Sequence, residues 1–236
     1  MRKLFALVTS ALLILTVTAC SSDNEEADGA AGENGSTLAR QGEYLTDYIQ
    51  TLSVNGKEFS FPATFDEMKE IFGDDMKSRY PDYPGSVLDK KDGTYWVVGE
   101  FVFDGYYWGR INFTTENENG ENAVIDWFNP DFHGRLGEDQ NVRDVTHLKD
   151  GETVTEQFIY EDGKIPYSMN GFATGTATRA EISGYFEGVS RSDLLNGVTT
   201  DNYVFEDYVL TIYYGEYGEA DLLTRFMITT NYGGEM

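Results

Sequence analysis

From Tyr44 onward, apolar and polar residues alternate in short runs, and two stretches break the alternation with helical spacing. Alternation predicts strands, because successive side chains of a strand point to opposite faces. Residues 48–54 read as a strand, Asn55-Gly56 as a tight turn whose residues both tolerate positive φ, and 57–61 as the return strand. Thr64 then opens a helix, with Glu67 three residues on as its capping-box partner. Phe65, Met68, Ile71 and Phe72 share one face of that helix, and Gly73 closes it.

The clearest meander follows. Residues 95–103, 106–115 and 122–128 are strands joined by turns at Asp104-Gly105 and Asn119-Gly120. Regular two-residue turns put Trp96, Val98, Val102, Tyr107, Ile111, Phe113, Val124 and Phe128 on one face, which is expected to be core. The other face carries Tyr95, Val97, Phe101, Phe103, Tyr106, Trp108, Arg110, Asn112, Ile125 and Trp127. A slip of one residue would exchange the two faces. Rings mixed with Arg and Asn suit a sugar or peptide: the rings stack on flat apolar surface and the polar groups fix orientation. Tyr95, Trp108, Arg110, Asn112 and Trp127 are therefore the candidate ligand-binding residues. The competing expectation buries Trp108 and Trp127 beneath a helix or the other half of the chain.

The same order of signals recurs. Residues 155–160, a turn at Asp162-Gly163 and residues 164–169 predict a hairpin. Thr178 with Glu181 predicts a second capped helix, with Ala180, Ile182, Tyr185 and Phe186 as its apolar residues and Gly188 at its end. Residues 203–214 and 222–232 supply the closing strands. Thr64 and Thr178 stand 114 residues apart, and strong strands begin at similar spacing near Tyr95 and Tyr208. That spacing is the mark of a tandem duplication of a hairpin–helix–meander unit. The expected fold is α+β: an antiparallel sheet with one or two helices packed on it, in halves spanning residues 44–130 and 152–236. A polar connection over 131–151, with a short helix near 142–148, joins them.

The N-terminus has a different character. Met1-Arg2-Lys3 is a basic head, residues 4–19 are apolar apart from Thr and Ser, and Cys20 follows. This is the shape of a secretory signal peptide, too short for a membrane span of about 20 apolar residues. Val17-Thr18-Ala19-Cys20 resembles the lipobox of bacterial lipoproteins. That resemblance implies cleavage after residue 19, transfer of a diacylglycerol to the Cys20 thiol, and anchoring in the lipid bilayer at the extracytoplasmic face of the cell membrane. Cys20 is the only cysteine, so no disulfide holds the fold. Residues 21–43 are mainly Ser, Gly, Ala, Asn and acid, with Arg40 as the one cation and Leu38 as the one large aliphatic. Such a segment cannot bury enough to order itself, and as a coil it spans roughly 25–30 Å. Asn24, Glu26, Asp28 and Gly29 mimic the start of a calcium loop, but its twelfth position is Gly35, where a Glu is needed.

Charge narrows the function. With 41 Asp and Glu against 17 Lys and Arg, the net charge is −24. A phosphate backbone is bound by a basic face, so nucleic acid is excluded as a partner. No dinucleotide, P-loop, nucleophile-elbow, Ser-x-x-Lys or zincin motif is present, and no cofactor is implied. His133 and His147, with Asp131, Glu138, Asp139 and Asp144 nearby, match no metal-ligand spacing and read as exposed polar residues. Glu100 and Asp126 are the carboxylates that the register aims at an apolar face, where burial would raise their pKa as a general acid requires.

Two further resemblances concern the globular part. The run Gly171-Phe172-Ala173-Thr174-Gly175-Thr176-Ala177-Thr178-Arg179-Ala180-Glu181-Ile182-Ser183-Gly184-Tyr185-Phe186 is similar to the helix-opening segment of β-lactamase-inhibitor-protein-like domains. Those domains lay helices on one face of an antiparallel sheet, often in tandem. Val54-Asn55-Gly56-Lys57, with Phe61-Pro62 before a helix, resembles uncharacterised lipoproteins of Gram-positive bacteria. Both resemblances imply binding rather than catalysis. The expected function is a membrane-anchored, non-catalytic binding module for a protein, peptide or glycan of the cell envelope. The alternative is a hydrolase of envelope or extracellular polymer working through Glu100 and Asp126.

Overall fold

Short strands and two capped helices follow one another through the computed structural model, which describes residues 43–82, 85–89, 93–130, 142–187, 191–195, 198–215 and 221–231. These residues belong to one compact unit. The expected signal peptide, Cys20 and the expected tether to residue 42 lie outside them. In chain order the elements are α1 (Leu45–Tyr48), β1 (Thr51–Val54), β2 (Lys57–Ser60), α2 (Phe65–Phe72), β3 (Met76–Lys77), β4 (Leu88–Asp89), β5 (Tyr95–Phe103), β6 (Tyr106–Thr115) and β7 (Val124–Asn129). They continue with β8 (Val142–Lys149), β9 (Glu152–Tyr160), β10 (Tyr167–Met169), β11 (Phe172–Ala173), α3 (Arg179–Tyr185), β12 (Arg191–Leu195), β13 (Val198–Val204), β14 (Tyr208–Tyr214) and β15 (Leu223–Thr230). The fold is α+β and mainly antiparallel sheet.

Two sheets form. The small one runs β11-β10-β1-β2. The large one runs β12-β13-β14-β15-β7-β6-β5-β3, with β4 also on β5, β9 on the end of β6 and β8 on β9. The β6–β9 pair, Tyr106 with Ile159 and Tyr107 with Tyr160, is parallel.

Both sheet orders read the same from either end, and a pseudo-two-fold relates the halves. In the large sheet β7 and β15 meet at the centre, flanked by β6 and β14 and then by β5 and β13. In the small sheet Ser53 of β1 faces Ser168 of β10, their hydroxyls 2.8 Å apart. Individual hydrogen bonds repeat. Asn55 N donates to Pro166 O, and Asn170 N to Thr51 O, each at 2.8 Å. Phe65 N donates to Ala123 O and Ile125 N to Ala63 O, at 2.8 and 3.0 Å. Arg179 N to Asp221 O and Leu223 N to Ala177 O repeat them, both at 2.8 Å. Phe128 and Phe226 stack near the axis, centroids 5.5 Å apart and planes 11° from parallel.

Local chemistry sets the helices. Thr64 and Thr178 each accept from the backbone of Glu67 or Glu181, and those carboxylates accept in return. Such a cap is worth about 1 kcal/mol. Helix α2 buries Met68 and Phe72, and α3 buries Ile182 and Phe186, on the inner face of the large sheet. Phe72 meets Phe101 at 5.1 Å and Phe103 at 6.1 Å. Phe186 meets Tyr203 at 4.6 Å and Phe205 at 6.3 Å. One hydrophobic core therefore runs through both halves.

Several sequence expectations are corrected. The second repeat of the hairpin is β10–β11, turning at Asn170-Gly171 with φ of 45° and 84°, as Asn55-Gly56 turns with 51° and 76°. Residues 155–160 instead belong to β9 and pair with β8, so the expected connection contributes a strand where a helix was predicted near 142–148. Residues 203–214 form two strands, and the one starting at Tyr208 corresponds to β6 rather than β5.

The faces of the first meander also change, and β-bulges are the cause. Pairing shifts between Phe101 and Val102, leaving Trp108 as the extra residue, and again between Asn112 and Phe113, leaving Asp126 extra. Each extra residue inverts the side-chain parity beyond it. The core side therefore holds Val97, Phe101, Phe103, Trp108, Ile111, Phe113, Ile125 and Phe128. Trp96, Val98, Val102 and Tyr107, expected in the core, lie on the outer side. The second bulge recurs in the other half between Tyr213 and Tyr214, while the first has no counterpart in the regular β13–β14 pair.

Candidate binding face

The outer face of the large sheet is polar even where it is buried. Asn112, Asp126, Asn129 and Thr200 are all buried there, whereas buried positions on the inner face are mostly aromatic and aliphatic, with Asp201 as a charged exception. Register places Asn112 opposite Trp127 and Arg110 opposite Asn129. The Arg110 guanidinium lies 5.4 Å over the Trp127 ring. Asn112 Oδ1 is buried with no hydrogen-bond partner. A second stack, Arg225 at 4.1 Å over Tyr213, stands on β15 and β14.

Of the five expected ligand-binding residues, the fold brings together Arg110, Asn112 and Trp127. Trp108 is not with them: its ring is 3% exposed and meets Phe101, Phe128 and Tyr167 edge-on at 5.7, 5.4 and 5.7 Å. Tyr95 is not with them either, because β5 is regular from Tyr95 to Phe101 and turns Tyr95 to the core side with Val97.

The β8–β9 hairpin, which belongs to neither repeat, covers one end of this face. Val145 buries against Val102 and Tyr107, with Phe158 and Tyr160 packed alongside. Leu148 N donates to Ser78 O at 3.1 Å, tying the hairpin to the segment after β3. His147, expected to be exposed, is buried here. Its Nδ1 sits 3.0 Å from Leu148 O and its Nε2 2.8 Å from Glu156 Oε2, so both ring nitrogens face acceptors. Hydrogen bonds from Lys149 and His147 hold the Glu156 carboxyl down at about 2. His133 lies outside the described residues.

Beneath the hairpin, Lys77, Glu100 and Arg110 face one another across β3, β5 and β6. Tyr107 donates its hydroxyl to Glu100 Oε2, and Arg143 Nη2 stands 3.8 Å from Oε1. Burial pushes the Glu100 carboxyl above the usual range, against the pull of Tyr107 and the two arginines. Asp126 is engaged elsewhere, accepting from Trp96 Nε1 at 3.0 Å. Trp96 and Glu100 are anchored four residues apart along β5, roughly 13 Å. The two carboxylates thus occupy different neighbourhoods.

An open cleft of about 290 Å³ lies beside this row, between Lys77, Arg79, Arg110 and Glu100 on one side and Asp144 and Thr146 of β8 on the other. A second, of about 300 Å³, adjoins it past Lys77 and reaches Lys69, His147 and Lys149. Sequence reasoning missed these residues. The signal available was Lys77-Ser78-Arg79, two cations within three residues, one position after Asp74-Asp75 in an acidic chain. Among the described residues no three His, Cys, Asp or Glu converge to hold a metal ion. No protein-family model, no curated protein and no solved structure matches the chain.

Proposed function

We propose that the protein is an extracytoplasmic lipoprotein, anchored in the cell membrane through a diacylglycerol on Cys20, that presents a non-catalytic binding face to a protein, peptide or glycan of the cell envelope. The observation that carries this reading is the grouping of Arg110, stacked on Trp127, with the unpartnered amide oxygen of Asn112 on the sheet face turned away from the core. A half-buried ring offers a flat stacking surface, and a rigid sheet positions it without ordering cost at binding. The acidic, core-poor stretch of residues 21–43 suits a spacer that holds this face off the membrane. Among the described residues no helix is long and apolar enough to cross a membrane, so the lipid is the anchor in this reading. The resemblance to β-lactamase-inhibitor-protein-like domains supports binding over catalysis.

Two measurements test it. Cys20→Ala should move the protein from the membrane pellet to soluble or uncleaved fractions; an unchanged, detergent-extracted product overturns the anchor. Calorimetric titration of the full chain in detergent with soluble envelope glycan fragments, envelope peptides and purified envelope proteins should give saturable binding to one class. Trp127→Ala and Arg110→Ala should each weaken it about tenfold or more, the usual loss at a central interface residue. Binding that ignores both substitutions, or no binding to any class, overturns the face.

A further inference from the structure

The cleft that Arg110 lines beneath the β8–β9 hairpin carries chemistry that the Trp127 ring does not. The chain has 17 Lys and Arg against 41 acids. Three of those cations, Lys77, Arg79 and Arg110, nevertheless line one cleft of about 290 Å³. The volume is at the lower end of the range for small-molecule sites. Two carboxylates share the cleft, and both already have donors. Glu100 is held by Tyr107 and Arg143, and Asp144 accepts from Gln157 Nε2 at 3.0 Å. The Lys77 ammonium makes no hydrogen bond or ion pair among the described residues. An ammonium standing beside a guanidinium pair favours an oxyanion, through short charge-assisted hydrogen bonds. The remaining acceptor capacity of Asp144, with the Thr146 hydroxyl, suits the hydroxyl groups of the same ligand.

Placement agrees with this chemistry. Lys77 and Arg110 are set on neighbouring strands on either side of Glu100, so sheet pairing fixes their spacing. The wall opposite comes from β8, part of the hairpin inserted between the two repeats. In the second repeat the positions of Glu100 and Arg110 are taken by Asn202 and Thr211, which bond to each other at 2.9 Å. The cationic cleft is therefore particular to the first repeat and its added hairpin. We propose that it binds a small hydroxylated oxyanion, a carboxylate or a phosphate ester carried on a sugar or polyol. Net negative charge repels such a ligand at long range, but the field is screened beyond about 8–10 Å in physiological salt, and recognition is made at contact.

The test is calorimetric titration of the full chain in detergent with glucuronate and with glycerol phosphate, using glucose and glycerol as uncharged controls. Saturable binding is expected for at least one anion and none for the controls. The anion that binds tells carboxylate from phosphate. Lys77→Ala and Arg79→Ala should each raise Kd at least about tenfold, in line with loss of one charge-assisted bond. Lys77→Arg should keep binding within a few-fold. Lys57→Ala, which removes a lysine paired with Asp75 outside the cleft, should bind as the parent does. Melting curves check that each variant is folded. No binding of either anion, equal binding of the uncharged controls, or Kd unchanged in both Lys77→Ala and Arg79→Ala overturns the proposal. Arg110 is shared by the cleft and the Trp127 stack, whereas Lys77 and Arg79 line only the cleft, so anion binding lost in Lys77→Ala and Arg79→Ala with envelope binding kept separates this proposal from the Trp127 face.

Discussion

The two repeats solve the same packing problem with different chemistry. In the first, Phe65 at the start of α2 packs edge-on against Phe113 at 5.3 Å. A Cβ on Gly99 would stand 2.6 Å from Met76 Cε, so the methionine fills that space. In the second, Arg179 takes the place of Phe65, Tyr214 that of Phe113 and Asp201 that of Gly99. The guanidinium lies 5.7 Å over the Tyr214 ring and grips Asp201 with bonds of 3.0 and 2.7 Å. On the outer face the assignment reverses: the first repeat has Lys77, Glu100 and Arg110, and the second has neutral Asn202 and Thr211. Caps, hydrogen bonds and the shared bulge are kept through both exchanges. The backbone plan therefore rests on local turn and cap chemistry together with one continuous apolar layer. The identity of the group beneath each helix is free to vary, provided that any buried charge is paired.

The largest effects should come from the bulge that only the first repeat has. Trp108→Ala removes a ring enclosed by three others and should cost about 3–5 kcal/mol, read from denaturant midpoints. Val209→Ala, on the regular strand β14 where no extra residue stands, should cost less than about 1 kcal/mol. Equal losses would break the distinction between the repeats at this position. Next comes the ion pair. Arg179→Ala leaves Asp201, 1% exposed, without its partner. The expected cost is about 3 kcal/mol, the lower end for a broken buried pair, because Arg179 itself is a third exposed. Replacing both, Arg179→Met with Asp201→Leu, makes this site resemble its apolar counterpart and should restore stability to within about 1–2 kcal/mol of the parent.

Smaller effects sharpen the likeness of the repeats. Thr64→Ala and Thr178→Ala remove equivalent caps and should each cost about 1 kcal/mol, equal within error in thermal melts. The smallest effect is a pH slope. Burial raises the Glu100 carboxyl in the folded protein, so the folded state holds that proton more tightly than the unfolded chain. This contribution to stability therefore falls as pH rises from the unfolded value, about 4.3, through the raised folded one. Glu100→Gln should flatten that part of the stability–pH curve. Glu67 and Glu181, both lowered by their threonine caps, act in the opposite sense: their contribution is present above about 4.3 and is lost as pH falls. Matching acid limbs in Glu67→Ala and Glu181→Ala would show that the two caps are energetically alike.

Legibility differed sharply between kinds of feature. Both capping boxes were readable because cap and partner stand three residues apart and report on nothing else. The bounds of β5 and β6 were readable because Asp104-Gly105 can only turn. Within the candidate site, Arg110, Asn112 and Trp127 were placed together by parity alone. The parity failed for Trp108, because it is itself the extra residue of a bulge. Lys77, Arg79, Asp144 and Thr146 went unseen because they come from segments distant in sequence that share no pattern.

What the sequence determined by itself is therefore local. It set which residues cap, which turn, and which runs alternate, since these depend on neighbours within a few positions and carry about 1 kcal/mol each. Tertiary structure decided the rest. Strands β10 and β11, of three and two residues, exist as strands because Tyr167, Ser168 and Met169 pair with β1 across the pseudo-two-fold. Trp108 is core, and Trp127 is not, because bulges reset parity at points where the strands on either side must fit one shared apolar layer. Side-chain period fixes two faces for a strand, but only packing against the opposite layer decides which face is inside.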